Sequence, residues 1–221
     1  MTQYSQFVLS EFDSVAHQFL AELRQPKVQS DRMRFRRNLA RIGEILAYEL
    51  SKVLIYESQQ ITTPLGTAQA SLLSQQPTLV SILRAGLPLH EGVLNYFDRA
   101  DNGFVGAYRH TDDSAPSGFT VQFDYESIPH LEGRPIIIID PMLATGRTLI
   151  KAVKQLKQYG NPAQIHIISV IAAPEGIQNL KNELGVNFSL WLGAIDDHLN
   201  EKAYIVPGLG DAGDLAFGSK Q

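Results

Sequence analysis

Four consecutive isoleucines, Ile136 to Ile139, run into Asp140-Pro141-Met142-Leu143-Ala144-Thr145-Gly146-Arg147-Thr148 and on into Leu149 to Leu156. An uninterrupted β-branched run of this kind is the mark of a strand buried on both faces, and such strands belong to parallel sheets. Downstream the apolar period lengthens: Leu149, Ala152, Val153 and Leu156 share one face of a helix. The tract therefore reads as strand, turn and helix. A turn in that place directs the unpaired N–H groups of the helix's first turn beyond the carboxyl end of the sheet, where the helix dipole favours an anion. Thr145 and Thr148 add hydroxyl donors and Gly146 permits close backbone approach, so the tract proposes a phosphate site. Asp140 would repel a phosphate and is placed instead for sugar hydroxyls or a metal-bound water. The pattern alone leaves open an ordinary strand-loop-helix connection with a threonine cap.

The same plan occurs earlier in the chain. Thr78 to Leu83 is apolar, Arg84-Ala85-Gly86 interrupts, and Leu87 to Phe97 reads as helix. Two such units imply right-handed crossovers and a ligand crevice at the carboxyl ends of the strands. Arg84, at the end of a buried strand, calls for an anionic partner, either a ligand or a carboxylate within the chain. Gly103 to Arg109 is a third strand ending in an arginine. His110 to Gly118 reads as a mobile loop, and Phe119 to Tyr125 alternates as a half-exposed strand does. Ile165 to Ala172 and Val186 to Ile195 complete the strands, with a short helix to Leu184 between them. Residues 1–30 read as an appendage of short elements packed on something larger. Asp31 can then cap a helix striped by Phe35, Leu39, Ile42, Leu46 and Leu50. Arg32, Arg34, Arg36, Arg37 and Arg41 on its other faces could meet RNA or an anionic effector, but without interleaved aromatics a solvated, salt-bridged face is the better reading. Ile61 to Gln69 reads as a short polar hairpin.

Composition narrows the function. The 221 residues fit one domain, and a net charge of -4 supplies no global basic field for nucleic acid or a membrane surface. The absence of cysteine removes disulfides, thiolate metal sites and thiol nucleophiles. With no long apolar run and no signal-like Met1 to Ser10, a cytoplasmic protein is expected. The six histidines show no metal-ligand spacing, no P-loop lysine motif is present, and no protein-held metal is expected. Tyr204 to Asp214 gathers Pro207, Gly208, Gly210 and Gly213, too much glycine and proline for a regular helix. Its backbone groups need partners, and a flat polar ligand could supply them.

Four of these segments resemble the uracil phosphoribosyltransferases. Asp140 to Gly146 is similar to their phosphoribosyl diphosphate loop, including the proline after the aspartate. Ile82-Leu83-Arg84-Ala85-Gly86 and Tyr108-Arg109 resemble their two diphosphate arginine segments. Tyr204 to Asp214 resembles their uracil-binding segment most specifically, since it names the base. The resemblance implies a type I phosphoribosyltransferase-like α/β fold, a central mostly parallel sheet flanked by helices. One domain would span 1–221, with a flexible hairpin at 110–130 and a base-binding hood at 196–218. It implies transfer of ribose 5-phosphate to uracil N1, giving UMP and diphosphate. Asp140, Pro141, Met142, Leu143, Ala144, Thr145, Gly146, Arg147 and Thr148 would hold phosphoribosyl diphosphate together with Arg84, Arg109 and Asp211. Ile205, Gly210, Asp211 and Ala212 would hold uracil, and Arg84, Arg109, Asp140 and Asp211 would serve the reaction directly. Mg²⁺ would arrive bound to the substrate. A homodimer or larger homo-oligomer and a GTP effector are further expectations. Arg147 stands where a second glycine is common, Leu215 where an arginine is common, and Leu87 to Gly92 departs from the usual pattern after the first arginine. The Gly-Arg-Thr ending of the loop also resembles RNA-binding pyrimidine operon attenuators, but Pro141 and the glycine-rich tail belong to the dedicated enzymes.

Overall fold

The computed structural model describes residues 5–111, 119–185 and 187–219, apart from the side chains of 107–111 and 119–121. In chain order the elements are β1 (Ser5–Val8), α1 (Ala16–Arg24), α2 (Pro26–Gln29), α3 (Arg32–Ser51), β2 (Tyr56–Thr63), β3 (Gly66–Leu73), β4 (Thr78–Leu83), α4 (Gly86–Leu94), β5 (Asp101–Thr111) and β6 (Phe119–Ser127). Then follow β7 (Pro135–Ile139), β8 (Met142–Leu143), α5 (Arg147–Leu156), β9 (Gln164–Ala172), α6 (Pro174–Leu184), β10 (Ser189–Ile195), β11 (His198–Leu199), β12 (Ile205–Val206) and α7 (Ala212–Phe217).

The main sheet runs in the order β1-β10-β9-β7-β4-β5-β6, with β8 extending the pairing along β9. Every pair from β1 to β5 is parallel, and β6 returns antiparallel to β5. This is the mostly parallel sheet flanked by helices that the sequence implies. The isoleucines of β7 lie at its centre and are fully buried. Alternation along the strand divides them: Ile137 and Ile139 pack with α1, α3 and α4, while Ile136 and Ile138 pack with α5 and α6. The α3 stripe lies in the first of these cores, and the helix begins where Asp31 accepts from Arg34 N–H. Leu149, Ala152, Val153 and Leu156 of α5 lie in the second. Parallel pairing brings the carboxyl ends of β4, β7 and β9 to one edge, where the site must lie.

Three outcomes bear on the sequence reading. Residues 5–30 are built into the domain: β1 pairs with β10, Phe7 lies 5.8 Å from the Trp191 ring, and Leu20 and Leu23 enter the core. An edge strand of four residues is too short to announce itself by alternation. The arginines of α3 follow the salt-bridged reading, and several are taken up within the chain. Arg34 pairs with Glu22 at 2.7 Å, Arg36 donates to Ala216 C=O at 2.7 Å, and the Arg41 guanidinium lies 4.9 Å from the Phe19 ring centroid. Last, the glycine-rich tail does enter a helix, because Asp211 caps α7 by accepting from Asp214 N–H and so offsets the weak propensity of Gly213. The expected 110–130 hairpin includes residues 112–118, which lie outside the described residues, as does Val186 at the expected start of the fifth strand. Among the described residues no helix is long and apolar enough to cross a membrane.

Candidate active site

The loop between β7 and α5 is fixed at three points. Asp140 N–H donates to Ile168 C=O, Pro141 C=O accepts from the N–H groups of Val170 and Ile171, and Leu143 C=O accepts from Ala173 N–H. β8 thereby rides on β9, a pairing that two residues cannot signal in a sequence. These bonds turn Pro141 and Leu143 inward; Leu143 is fully buried in the α5/α6 core. Their neighbours Asp140, Met142, Ala144 and Thr145 face a cavity of about 180 Å³, as do Gly146, Arg147 and Thr148. Gly146 takes φ 75° at the N-cap of α5, a left-handed conformation that favours glycine. Thr145 Oγ1 accepts from Arg147 N–H at 3.4 Å, and Thr145 C=O accepts from the Asn179 side chain at 3.1 Å. The loop thus leads into a helix start, the setting in which unpaired N–H groups favour an anion. Arg147 stands at the mouth, lining both this cavity and a groove between α5 and α6.

The second wall comes from the chain's end. Asp211 and Ala212 line the cavity opposite Thr145, with Tyr204, Ile205 and Gly210 beside them. Ile205 is buried on β12, which pairs antiparallel with β11. Gly210 has φ 91° and Gly208 φ 61°, so the segment turns in ways open to few other residues. Two neighbours of the expected residues also line the cavity, Ala203 at φ 59° and Gly213. A positive φ on alanine leaves no trace in composition, and Gly213 was legible only as part of a glycine-rich stretch.

The two arginines fare differently. Arg84 Nη2 reaches Asp214 Oδ1 at 3.4 Å and Gly218 C=O at 3.3 Å, while its neighbour Ala85 lines the cavity. Within the chain the internal carboxylate is therefore its partner. The pair is long and both side chains are a little over a third exposed, so it is weakly held. Arg109 lies on β5, and its side chain falls outside the described residues.

The arrangement thus joins a loop at a helix start, two carboxylates and a glycine-rich main-chain segment around one opening. Among the described residues no cluster of three or more acidic or histidine side chains could hold a metal alone. Comparison with known proteins covers nearly the whole chain. A family model described as uracil phosphoribosyltransferase matches residues 13–219. The uracil phosphoribosyltransferase of Porphyromonas gingivalis is 45% identical over 207 residues, 94% of this chain and 95% of that protein. That of Thermococcus gammatolerans is 39% identical over 205 residues, 91% of this chain and 88% of its own length. The solved structure of the AQ2163 protein from Aquifex aeolicus is similar with a TM-score of 0.85 at 30% identity, covering 96% of this chain and 98% of that one.

Proposed function

Since the chain belongs to the uracil phosphoribosyltransferase family and is an enzyme of pyrimidine salvage, we infer that the cavity holds phosphoribosyl diphosphate at its α5 end and uracil at its α7 end. One observation carries this assignment: the loop of Thr145 to Thr148 and the segment of Ile205 to Ala212 line the same cavity.

The chemistry follows from where charge develops. As ribose 5-phosphate passes to uracil N1, the anomeric carbon becomes cationic and the departing diphosphate gains negative charge. Thr145, Gly146 and Thr148 anchor the 5-phosphate, a remote handle whose binding orients the reacting carbon. Arg84 exchanges its long contact with Asp214 for diphosphate oxygens, and Arg109 supplies a second guanidinium; one such contact is worth about 3 kcal/mol in the transition state. Asp140 stands where the ribose hydroxyls fall. Main-chain groups around Ile205, Gly210 and Ala212 meet the alternating donors and acceptors of uracil, and Asp211 faces the sugar phosphate. A substrate-borne Mg²⁺ fits the donor set, because two separated carboxylates, Asp140 and Asp211, suit an ion held mainly by phosphate oxygens and water. When bound, that ion neutralises charge on the diphosphate.

A homo-oligomer is supported by the β2–β3 hairpin, a separate two-stranded sheet that exposes Tyr56, Ile61, Leu65 and Leu72. Light scattering that returned the mass of one chain would remove that reading. GTP activation and a cytoplasmic location rest on the family alone. The family match favours the dedicated enzyme over the RNA-binding attenuator, and the net charge of -4 agrees, so no shift of pyrimidine leader RNA is expected. The decisive experiment offers phosphoribosyl diphosphate and Mg²⁺ with uracil, cytosine, orotate, hypoxanthine or adenine. UMP from uracil alone is the expected result; a faster reaction with another base would overturn the base assignment.

A further inference from the structure

The first helix of the chain reaches into the base-binding end of the cavity's wall. Arg24, in the last turn of α1, meets Asp196 with two parallel bonds, Nη2 to Oδ1 at 2.6 Å and Nη1 to Oδ2 at 2.8 Å. Asp196 follows β10, and its side chain is only 4% exposed against 27% for Arg24. Its own N–H donates to Ala172 C=O at 2.8 Å, which ties it to the carboxyl edge of the main sheet. Both partners then turn to a single residue of the tail, holding the peptide groups on either side of it: Arg24 Nη1 donates to Gly208 C=O at 3.0 Å, and Asp196 Oδ2 accepts from Gly208 N–H at 2.7 Å. Next to it, Gln29 Nε2 donates to Leu209 C=O at 3.1 Å while also holding Leu23 C=O at 2.7 Å.

This arrangement solves a particular problem. Gly208 is at φ 61°, and an added Cβ there would lie 2.1 Å from Ile205 C=O, so the turn is tightly folded on itself. It belongs to no element of the main sheet, and β11 and β12 give it a ladder of only two residue pairs. A segment so lightly paired needs its polar groups satisfied elsewhere. A buried ion pair is weak evidence for stability in general, since desolvation offsets much of the attraction. Its bidentate geometry, by contrast, fixes direction. Here the direction fixed is that of the peptide between Ile205 and Gly210, both of which line the cavity.

We propose that Arg24 and Asp196, with Gln29 beside them, are positioning residues for base recognition: they hold the Gly208 and Leu209 backbone at the height at which the Ile205 to Ala212 surface matches a pyrimidine. The inference rests on the reading that this surface holds uracil. It makes the N-terminal helix part of the specificity apparatus, while the phosphate loop, anchored independently on β9 and α6, stays outside its reach. Displacing a binding surface by about 1 Å can cost up to a hundredfold, and here that cost falls on one substrate only.

The test is a comparison of steady-state constants for Arg24→Met, Arg24→Lys and Ile205→Trp in the full-length chain. Arg24→Met keeps the aliphatic stem and removes the fork; it is expected to raise KM for uracil by about tenfold or more, leaving KM for phosphoribosyl diphosphate within about twofold. Arg24→Lys keeps the counter-charge beside the buried carboxylate and so preserves the fold even where Arg24→Met does not. It should fall between the wild type and Arg24→Met in uracil KM, because one ammonium cannot form both parallel bonds and the Gly208 contact. Folded Arg24→Lys protein with an unchanged uracil KM, or with both constants raised equally, would overturn the proposal. Ile205→Trp separates the two claims. If it raises uracil KM and the Arg24 variants do not, the positioning role fails alone; if Ile205→Trp also spares uracil KM, the base-site reading itself has failed.

Discussion

Gly176 sets how closely the phosphate loop can approach α6. A Cβ at that position would lie 2.1 Å from Ala144 C=O and 3.0 Å from Leu143 C=O, both backbone atoms with no freedom to swing aside. The approach is reciprocal: a Cβ added at Gly146 would lie 2.9 Å from Gly176 C=O. Gly176→Ala must therefore push the loop off its anchor, and it is expected to raise KM for phosphoribosyl diphosphate by about tenfold while uracil KM changes little. Initial-rate measurements with each substrate varied in turn check this, and equal changes in both constants would count against the division of the cavity. Arg109→Ala addresses the leaving group instead. Turnover should drop about a hundredfold with the melting temperature unmoved. Much of the cavity's lining was readable residue by residue, because Asp140, Thr145, Gly146 and Asp211 belong to short contiguous motifs. Arg24 and Asp196 were not, since 172 positions separate them and neither stands in a motif of its own. The partner of Arg84 was left open for the same reason: position on a strand demands an anion without saying which.

Among the elements, the long and strongly periodic ones were legible and the short ones were not. α3 shows its stripe over about four turns, and β4 and β7 are largely apolar and buried, so physical pattern and structure coincide. β8, β11 and β12 are each two residues long and exist only through the partner they pair with. The β2–β3 hairpin lies between these extremes: its turn residues were visible, but its arms extend to Tyr56 and Leu73, beyond the expected Ile61 to Gln69, because polar strand positions without a buried face carry no periodic signal. For α3 the decisive local feature is its start. Asp31 accepts from Arg34 N–H at 3.1 Å, and Arg34 then holds Glu22 through two bonds of 2.7 Å, linking the cap to the packing of α1 on α3. Asp31→Ala is expected to cost about 1 kcal/mol, read as a lower urea midpoint with an unchanged slope. Uracil and phosphoribosyl diphosphate constants should stay as in the wild type, since the cap lies outside the cavity; a change in either would tie the start of α3 to the site.

His166 and Glu22 should each withdraw stability from the whole molecule in acid, at two separable stages. His166 sits on β9, 4% exposed, and accepts at Nδ1 from the Trp191 indole at 3.4 Å. Burial alone pushes its pKa down from 6.5 to about 4. Folding thus demands the neutral ring, whereas the unfolded chain takes up a proton as pH drops below 6.5. The unfolded state binds more protons across that interval, so stability is complete above it and is lost as pH falls toward 4. Glu22 acts later. Hydrogen bonds from Arg34 and Asn38 hold its carboxyl down from 4.5 to about 2, so its contribution stays in place above pH 4.5 and disappears only as the medium approaches pH 2. Between pH 7 and pH 4.5 the histidine therefore dominates this pair, and the linkage relation gives a loss of about 2 kcal/mol from it. His166→Gln removes the titration while keeping a side-chain acceptor for the indole. Urea unfolding at the two pH values should show the wild type losing about 2 kcal/mol more than the variant. Parallel losses in both proteins would mean that the folded chain tolerates a charged imidazole at this position, and that the acid sensitivity arises from other groups, among them His90, whose pKa burial also lowers.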